Sequence, residues 1–345
     1  MVVVNTRTLA ARPTGVQRYT LALLQQFGLR VRRLGPAKPR QGAMGHLWEQ
    51  LVLPAKVGGE LLWSPGMTGP LRVRKQVVTI HDLAPLDHPE WVKRRFGAWY
   101  RWLVPKLIHK VRHVIAVSEF TKERILAATG VGPEKITVVP NGVDESFAPQ
   151  GDEEIQHVRR SLGIPSGRYI LSLGTLAPRK NLPRLLQAWN AVQATLDKDI
   201  WLVVAGGMGE RIIFPDMPLG SLPPRVHLTG YVNDDDLPSL YSGAIALVYP
   251  SLYEGFGLPV LEAMACGTPV ITSNQSALPE VAGQACVLVD PYDGDAIADA
   301  IGRMVTDPVL HRDLAQAGPP QAQPFTWQRA AEMTWQVLQD SDDHS

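Results

Sequence analysis

Residues 244–267 read AIALVYPSLYEGFGLPVLEAMACG, and the order of residue types sets the architecture. Ile245 to Tyr249 is a short, uninterrupted apolar run, as in a strand covered on both faces within a parallel sheet. A glycine-bearing turn follows. Pro259 suits the first turn of a helix, which runs to Cys266 and stops at Gly267. Strand, loop and helix in this order form one unit of an alternating α/β chain.

The same alternation extends outward. RYILSLG, IWLVVAGG, RVHLTGYV, TPVITS and ACVLVDP read as further strands of this series. An earlier series comprises MVVVN, LLWSP, QVVTIHD, HVIAVS and KITVVPNG, with helices over Gly15 to Phe27, Trp91 to Lys110 and Glu119 to Thr129. Between the series, DESFAPQGDEEIQHVRRSLGIPSG is polar and broken by Pro149, Pro165 and glycines, which puts a boundary near Gly163. The expected organisation is a first parallel-sheet domain over 1–163, a second over 164–324, and a helix in 325–345. The spacing of Phe325, Ala330, Ala331, Trp335 and Leu338 predicts that last helix. The basic, Pro/Gly-rich residues between Arg30 and Gly45 read as a mobile loop.

A chain of 345 residues suits two domains rather than one core. Cys266 and Cys286 are too few for a disulfide framework, MVVVNTRTLA has no basic n-region, and no apolar run reaches the ~20 residues of a membrane span. These features predict a cytoplasmic protein. Residues 1–163 hold 24 Lys+Arg against 13 Asp+Glu, and the rest hold 10 against 20. A basic front half suggests an anionic surface as partner, and charge complementarity between the domains accounts for it equally. Nucleic acid is not an expected partner.

Ligands bind at the carboxyl ends of strands in such sheets, and chemistry-bearing residues cluster there. In SLGTLAPRKN, 172–181, Arg179 and Lys180 sit between a strand end and a helix that Asn181 would cap. Two cations beside a helix N-terminus suit a diphosphate, although such pairs are often merely solvated. Glu254 follows the quoted strand and Glu262 lies one turn into the next helix, so both carboxylates can accept hydrogen bonds from vicinal hydroxyls. A helix-dipole role would account for Glu262 but poorly for Glu254. Gly255 and Gly257 would let backbone approach a ligand. Gly15 opens a helix after a strand, so the Gly15 and Val16 amides could meet a phosphate. His81 and Asp82 end another strand. The acids of NDDD, 233–236, are better explained by helix capping than by metal binding, and no metal site is expected. VVAGGMGE lacks the G-x-G-x-x-G spacing of a dinucleotide fingerprint.

Together these segments resemble the retaining glycosyltransferases of family GT4. The resemblance rests on TGVQRYT, GHLWEQ, TIHDLAP, VSEFTKERI, VVPNGVD, LGTLAPRKN, LTGYV, EGFGLPVLEAMACGTPVI and LPEVAG, and it runs almost end to end. It implies the GT-B architecture, two Rossmann-like domains facing across a cleft, with the final helix crossing back to the first. It also implies that Glu254 holds hydroxyls of the transferred sugar and Glu262 the nucleotide ribose. Arg179 and Lys180 would neutralise the diphosphate, aided by amides at Gly15, Val16, Phe256, Gly257 and Leu258. His81 would lie beside the sugar. The implied reaction is hexose transfer from a nucleotide-sugar to a saccharide or lipid-linked acceptor, without a metal cofactor. The chain is most similar to bacterial mannosyltransferases of polysaccharide assembly, which favours GDP-mannose over UDP-glucose.

A retaining glycosidase also uses two carboxylates but has no need of Arg179 and Lys180. A non-catalytic nucleotide-sugar-binding protein need not keep all four residues. Finally, the helix from Trp91 places Val92, Phe96, Trp99 and Leu103 on one face, with Lys93, Arg94 and Arg101 off it. Such a helix either packs into a core or rests peripherally on an anionic membrane at its inner face.

Overall fold

Val2, Val3 and Val4 are all buried because both faces of their strand are covered. The computed structural model describes residues 1–10, 15–38, 42–174, 177–207 and 222–343. In it, β1 (Val2–Asn5), β2 (Val31–Leu34), β3 (Leu61–Ser64), β4 (Gln76–Ile80), β5 (His113–Ala116) and β6 (Ile136–Val138) form one sheet in the order β2-β1-β3-β4-β5-β6. Every pairing in it is parallel. The connecting helices are α1 (Gly15–Phe27), α2 (Gly42–Leu51), α3 (Leu53–Val57), α4 (Ala84–Asp87), α5 (Arg94–Lys110) and α6 (Glu119–Thr129). Successive strand residues point to opposite faces. Val2, Val4 and Trp63 accordingly pack with Tyr19, Leu23 and Phe27 of α1, whereas Val3 and Leu62 meet Trp48, Leu53 and Val57.

The second sheet runs β12-β11-β10-β7-β8-β9 and is also parallel throughout. Its strands are β7 (Arg168–Leu173), β8 (Ile200–Ala205), β9 (Val226–Gly230), β10 (Ala246–Tyr249), β11 (Val270–Ser273) and β12 (Val287–Val289). Helices α7 (Asp152–Ser161), α8 (Leu182–Val192), α9 (Leu237–Ser242), α10 (Leu258–Ala265), α11 (Leu278–Ala282), α12 (Gly294–Thr306) and α13 (Pro308–Ala322) accompany it. Leu185, Trp189, Ile297 and Ile301 of α8 and α12 form a core with Ile170, Leu202 and Val248 of the strands.

The chain divides into Met1–Gly142 with Phe325–Ser345, and Val143–Pro324. The division falls at Gly142 and not near Gly163, because the polar stretch read as a linker holds α7. That helix carries Asp152, Glu153 and Glu154 in its first turn and Arg159 and Arg160 in its last, matching the helix dipole. It buries Val158, and the Gln150 amide donates to Ser242 Oγ at 3.1 Å. The final helix, α14 (Trp327–Asp343), buries Ala330, Ala331, Val337 and Leu338 against β1, β3 and α1 of the first unit. Gly142 permits this approach: a Cβ there would lie 2.2 Å from the Trp327 nitrogen.

Two further expectations are corrected. The supposed loop between Arg30 and Gly45 contains β2 and the start of α2, while residues 39–41 lie outside the described part. β2 is a four-residue edge strand whose VRRL sequence buries only Val31, so it gives little apolar signal. The long first-unit helix begins at Arg94, after a 3-10 turn at Pro89–Trp91. Its buried face is Gly97, Tyr100, Leu103, Val104, Leu107 and Ile108, so Phe96 is exposed and Trp99 half-buried.

Candidate active site

β7 and β10 are neighbours, with Ile170 opposite Ala246. From β7 the chain continues to β8 and β9 on one side, and from β10 to β11 and β12 on the other. Strand order therefore reverses between them, and open parallel sheets bind ligands outside the carboxyl ends of strands at such a switch point. Arg179 and Lys180 follow β7 in a 3-10 turn, Pro178–Lys180; Glu254 follows β10.

These three side chains meet. Arg179 Nη1 donates to Glu254 Oε2 at 2.6 Å, and Lys180 Nζ donates to Glu254 Oε1 at 2.7 Å. Tyr249 OH donates to the same Oε1 at 3.0 Å and is also hydrogen-bonded by Lys180. Glu254 is only 6% exposed. Burial alone would raise its pKa, but the charges and hydrogen bonds of Arg179 and Lys180 outweigh this and bring it from 4.5 to about 2. Burial and the Glu254 charge push the Tyr249 phenol well above its ordinary range, so it stays a neutral donor. Two cations and one carboxylate leave the cluster with one net positive charge, poised for an anion.

The backbone is fastened around it. Leu252 N donates to Arg179 O at 2.8 Å, and Glu254 N to Ser276 Oγ at 3.0 Å. Asn181 does not cap α8 through its side chain. At φ +58° it turns Nδ2 to the carbonyls of Pro250 at 3.1 Å and Pro291 at 2.6 Å, clamping the loops after β7, β10 and β12. Thr175 and Leu176 of the same loop lie outside the described residues.

Glu262 sits one turn into α10, 3% exposed, and accepts a 2.8 Å hydrogen bond from Tyr241 OH of α9. Phe256 is buried, and Leu258 begins α10. Gly257, between them, has φ +106°, and a Cβ there would stand 2.6 Å from Leu278 Cδ2, so a substitution would be strained and would displace that leucine. Gly255 is not among the glycines at positive φ.

The remaining expected site residues belong to the first unit. Gly15 opens α1, and the Val16 carbonyl accepts from Thr20 Oγ1 at 2.8 Å. His81, at the end of β4, is buried and contacts the Pro65 carbonyl through Nε2 at 2.8 Å. Burial lowers its pKa, so the imidazole is neutral at pH 7 with Nε2 protonated and Nδ1 an acceptor. Asp82 accepts from Ala84 N at 3.0 Å, a local turn role.

Sequence reasoning missed Tyr249 and Tyr241. Tyr249 ends an apolar run and Tyr241 stands between Leu240 and Ser242, so neither signals chemistry in the sequence, and their carboxylate partners reveal them. Asp234–Asp236 form a 3-10 turn leading into α9, and Asp236 makes no side-chain capping bond. Among the described residues, no three His, Cys, Asp or Glu side chains converge as a metal-binding group. Met208 to Glu210 of VVAGGMGE lie outside the described part.

Comparison with known proteins shows the family. Residues 154–321 match the family "Glycosyl transferases group 1" and residues 60–147 match "Glycosyltransferase Family 4". The O-antigen chain mannosyltransferase B of Escherichia coli is 31% identical over 272 residues, 78% of this chain and 71% of that protein. The chain belongs to the group 1 glycosyltransferases. The MMP alpha-(1->4)-mannosyltransferase of Mycolicibacterium hassiacum is 30% identical over 79% of this chain and 68% of its own length. The structure of Anabaena HepE in complex with UDP and glucose superposes with a TM-score of 0.76 at 18% identity, covering 98% of this chain and 99% of that one. This glycosyltransferase therefore has the GT-B fold, and it acts in glycan biosynthesis.

Its buried carboxylate makes a pH prediction. A folded pKa near 2 against 4.5 means that Glu254 stabilises the fold above pH 4.5, a contribution lost as pH falls toward 2. The loss is on the order of 3 kcal/mol. Urea melts of this glycosyltransferase and of Glu254→Gln at pH values from ~5 to ~2.5 isolate it. The wild-type protein should lose its stability advantage over the variant across this range; parallel pH profiles would remove the ion pairs from the account.

Proposed function

We propose that this glycosyltransferase transfers mannose from GDP-mannose to a saccharide or lipid-linked acceptor with retention of anomeric configuration, using Arg179 and Lys180 against the diphosphate. The observation that carries this reading is the Arg179–Lys180–Glu254 cluster, with contacts of 2.6 and 2.7 Å at the switch point between β7 and β10. As the anomeric bond breaks, negative charge grows on the departing phosphate oxygen. Cations already held in place stabilise that charge without reorganising, worth roughly 3–4 kcal/mol per preorganised contact. Glu254 orients both cations and faces the sugar hydroxyls; Glu262 takes the ribose. The amides of Phe256, Gly257 and Leu258 assist at the phosphates. His81, neutral and with Nδ1 as acceptor, suits a sugar hydroxyl better than a phosphate. Because protein cations supply the positive charge, no divalent metal takes part.

The donor assignment rests on the mannosyltransferase relatives at 30–31% identity. A thermal-shift screen of nucleotide-sugars, followed by nucleoside-diphosphate release with excess EDTA, tests both points. A donor at ~100 times its Kd stabilises the fold by about 2.7 kcal/mol. GDP-mannose should raise the melting temperature most, and its turnover should survive EDTA. A shift with UDP-glucose alone would replace the donor. Loss of turnover in EDTA, restored by magnesium or manganese, would overturn the metal-free reading.

A further inference from the structure

We propose that Glu49 and Gln50 of α2 are positioning residues for transfer, holding the loop after β3 so that its Pro65 carbonyl fixes the ring proton of His81. The proposal rests on the reading of His81 as the group beside the sugar. The loop runs from Pro65 to Leu71 and is braced along its length. Thr68 Oγ1 donates to Glu49 Oε1 at 3.1 Å and accepts from Arg7 Nη2 at 2.8 Å. Gln50 Nε2 donates to Gly69 O at 2.8 Å, and Leu71 N donates to Gln50 Oε1 at 3.1 Å. The Met67 amide donates to Thr79 O of β4 at 3.1 Å. Packing is close as well. A Cβ on Gly66 would lie 2.4 Å from Thr8 Cγ2, and Met67 is held at φ +66°, which residues with side chains seldom adopt. At the start of the loop, the Pro65 carbonyl accepts from His81 Nε2 at 2.8 Å.

The chemistry of the brace separates it from ordinary packing. Glu49 is fully buried, and His46 Nδ1 lies 3.5 Å from its Oε2. Burial would raise the Glu49 pKa, but His46, Arg7 and Asn5 outweigh this and hold the carboxyl below its ordinary value, so it is charged. A buried ion pair is a weak source of stability, because apolar side chains of the same volume often serve as well. What it supplies is direction. Glu49 Oε1 accepts from Asn5 Nδ2 at 2.8 Å, Arg7 Nε at 3.1 Å and Thr68 Oγ1 at 3.1 Å, so one oxygen ties the end of β1 and the turn after it to the loop after β3. Tyr19 meets the His81 ring edge-on, with centroids 4.8 Å apart, and sets its plane. The Pro65 carbonyl sets its proton, keeping it on Nε2 and leaving Nδ1 as the acceptor. A displaced loop would release that choice. The segment GHLWEQ thereby gains a role: Trp48 packs into the core, and the two residues after it hold the loop.

The test combines nucleoside-diphosphate release from GDP-mannose with NMR of the histidine ring nitrogens in the full chain, the His81 signals being assigned by their loss in His81→Ala. Thr68→Val removes the hydroxyl between Glu49 and Arg7, Glu49→Gln removes the charge, and Gln50→Met removes the second brace. Each should lower kcat roughly 10- to 100-fold, the scale of a small misplacement at the reacting centre, with KM for the donor little changed. His81 should pass from the single Nε2–H tautomer to a mixture, and Thr68→Ser should keep both rate and tautomer. In a His81→Ala background none of the three should slow turnover further, because their effect runs through the imidazole. The tautomer is read without any nucleotide-sugar, so it tests the brace whichever donor the enzyme takes. Thermal melts by circular dichroism show which variants are folded, and Gln50→Met, at a half-buried position, serves if the buried substitutions prevent folding. Equal slowing with and without His81, an unchanged tautomer in a slowed, folded variant, or a near-normal kcat in the folded variants would overturn the proposal and leave the role of His81 standing. A near-normal rate in His81→Ala would overturn that role, and the proposal with it.

Discussion

Replacing Arg179 and Lys180 together by alanine is expected to lower turnover at saturating nucleotide-sugar by at least ~10²-fold, the scale seen when one preorganised charge-stabilising contact is removed. Both residues are held before any ligand arrives: each donates to a different oxygen of the buried Glu254, and the Arg179 carbonyl is tied to Leu252. Their positions therefore need no adjustment as charge develops on the leaving group. The single variants should not add up to the double. Both share Glu254, and removing one cation leaves the carboxylate to the other, so the two losses are coupled. The split between kcat and KM carries the distinction. A loss mainly in kcat marks an interaction made in the transition state, whereas a rise in KM alone marks uniform binding of donor. A double variant that is folded and turns over at a near-normal rate would remove these residues from the chemistry.

The residues that made the cluster legible in sequence lie at strand ends, where glycine, proline and charged residues interrupt apolar runs. β7 and β10 are six and four residues long, with Tyr169–Leu171 and all of Ala246–Tyr249 buried, so the runs ILSL and ALVY stand out, and whatever follows them must sit at a carboxyl edge. The same logic fails where a strand or helix buries little. β2 covers a single valine, and α7 buries only Val158 among ten residues, so a highly charged stretch such as DEEIQHVRRS reads as linker. The tyrosines escaped for the opposite reason. Tyr249 closes an apolar strand and Tyr241 belongs to the short buried helix LPSLYS, and a hydroxyl aimed at a buried carboxylate leaves no periodic trace. Asn181 shows how a correct position can carry the wrong role. It precedes α8 as a cap should, yet its left-handed backbone turns the side chain toward two loop carbonyls. The burial pattern of α5 departs from the single-stripe reading because aromatic residues lie on both faces, Tyr100 inside and Phe96 and Trp102 outside.

The two glutamates of the opening stretch should separate by role. Glu254→Gln is expected to abolish transfer while retaining affinity for the bare nucleoside diphosphate. Neutralising that carboxylate raises the net charge of the cluster from one to two, which does not weaken its attraction for a diphosphate. The orientation of both cations and the acceptor offered to sugar hydroxyls are nevertheless lost. Glu262→Ala should behave differently. Its carboxylate lies on α10 and accepts a 2.8 Å hydrogen bond from Tyr241 OH. Losing hydrogen bonds to a charged group costs about 1.5–3 kcal/mol, so nucleotide affinity should fall roughly 10- to 150-fold. Calorimetry with GDP, on variants shown by circular dichroism to be folded at the assay temperature, reads both effects. Thermal shifts alone would confuse binding with stability, because each substitution also breaks a buried hydrogen bond of the free protein. Equal losses of nucleotide affinity in the two variants would sink the assignment of sugar to Glu254 and ribose to Glu262. A larger loss in Glu254→Gln would reverse it, giving the diphosphate side of the site to the carboxylate that already touches Arg179 and Lys180.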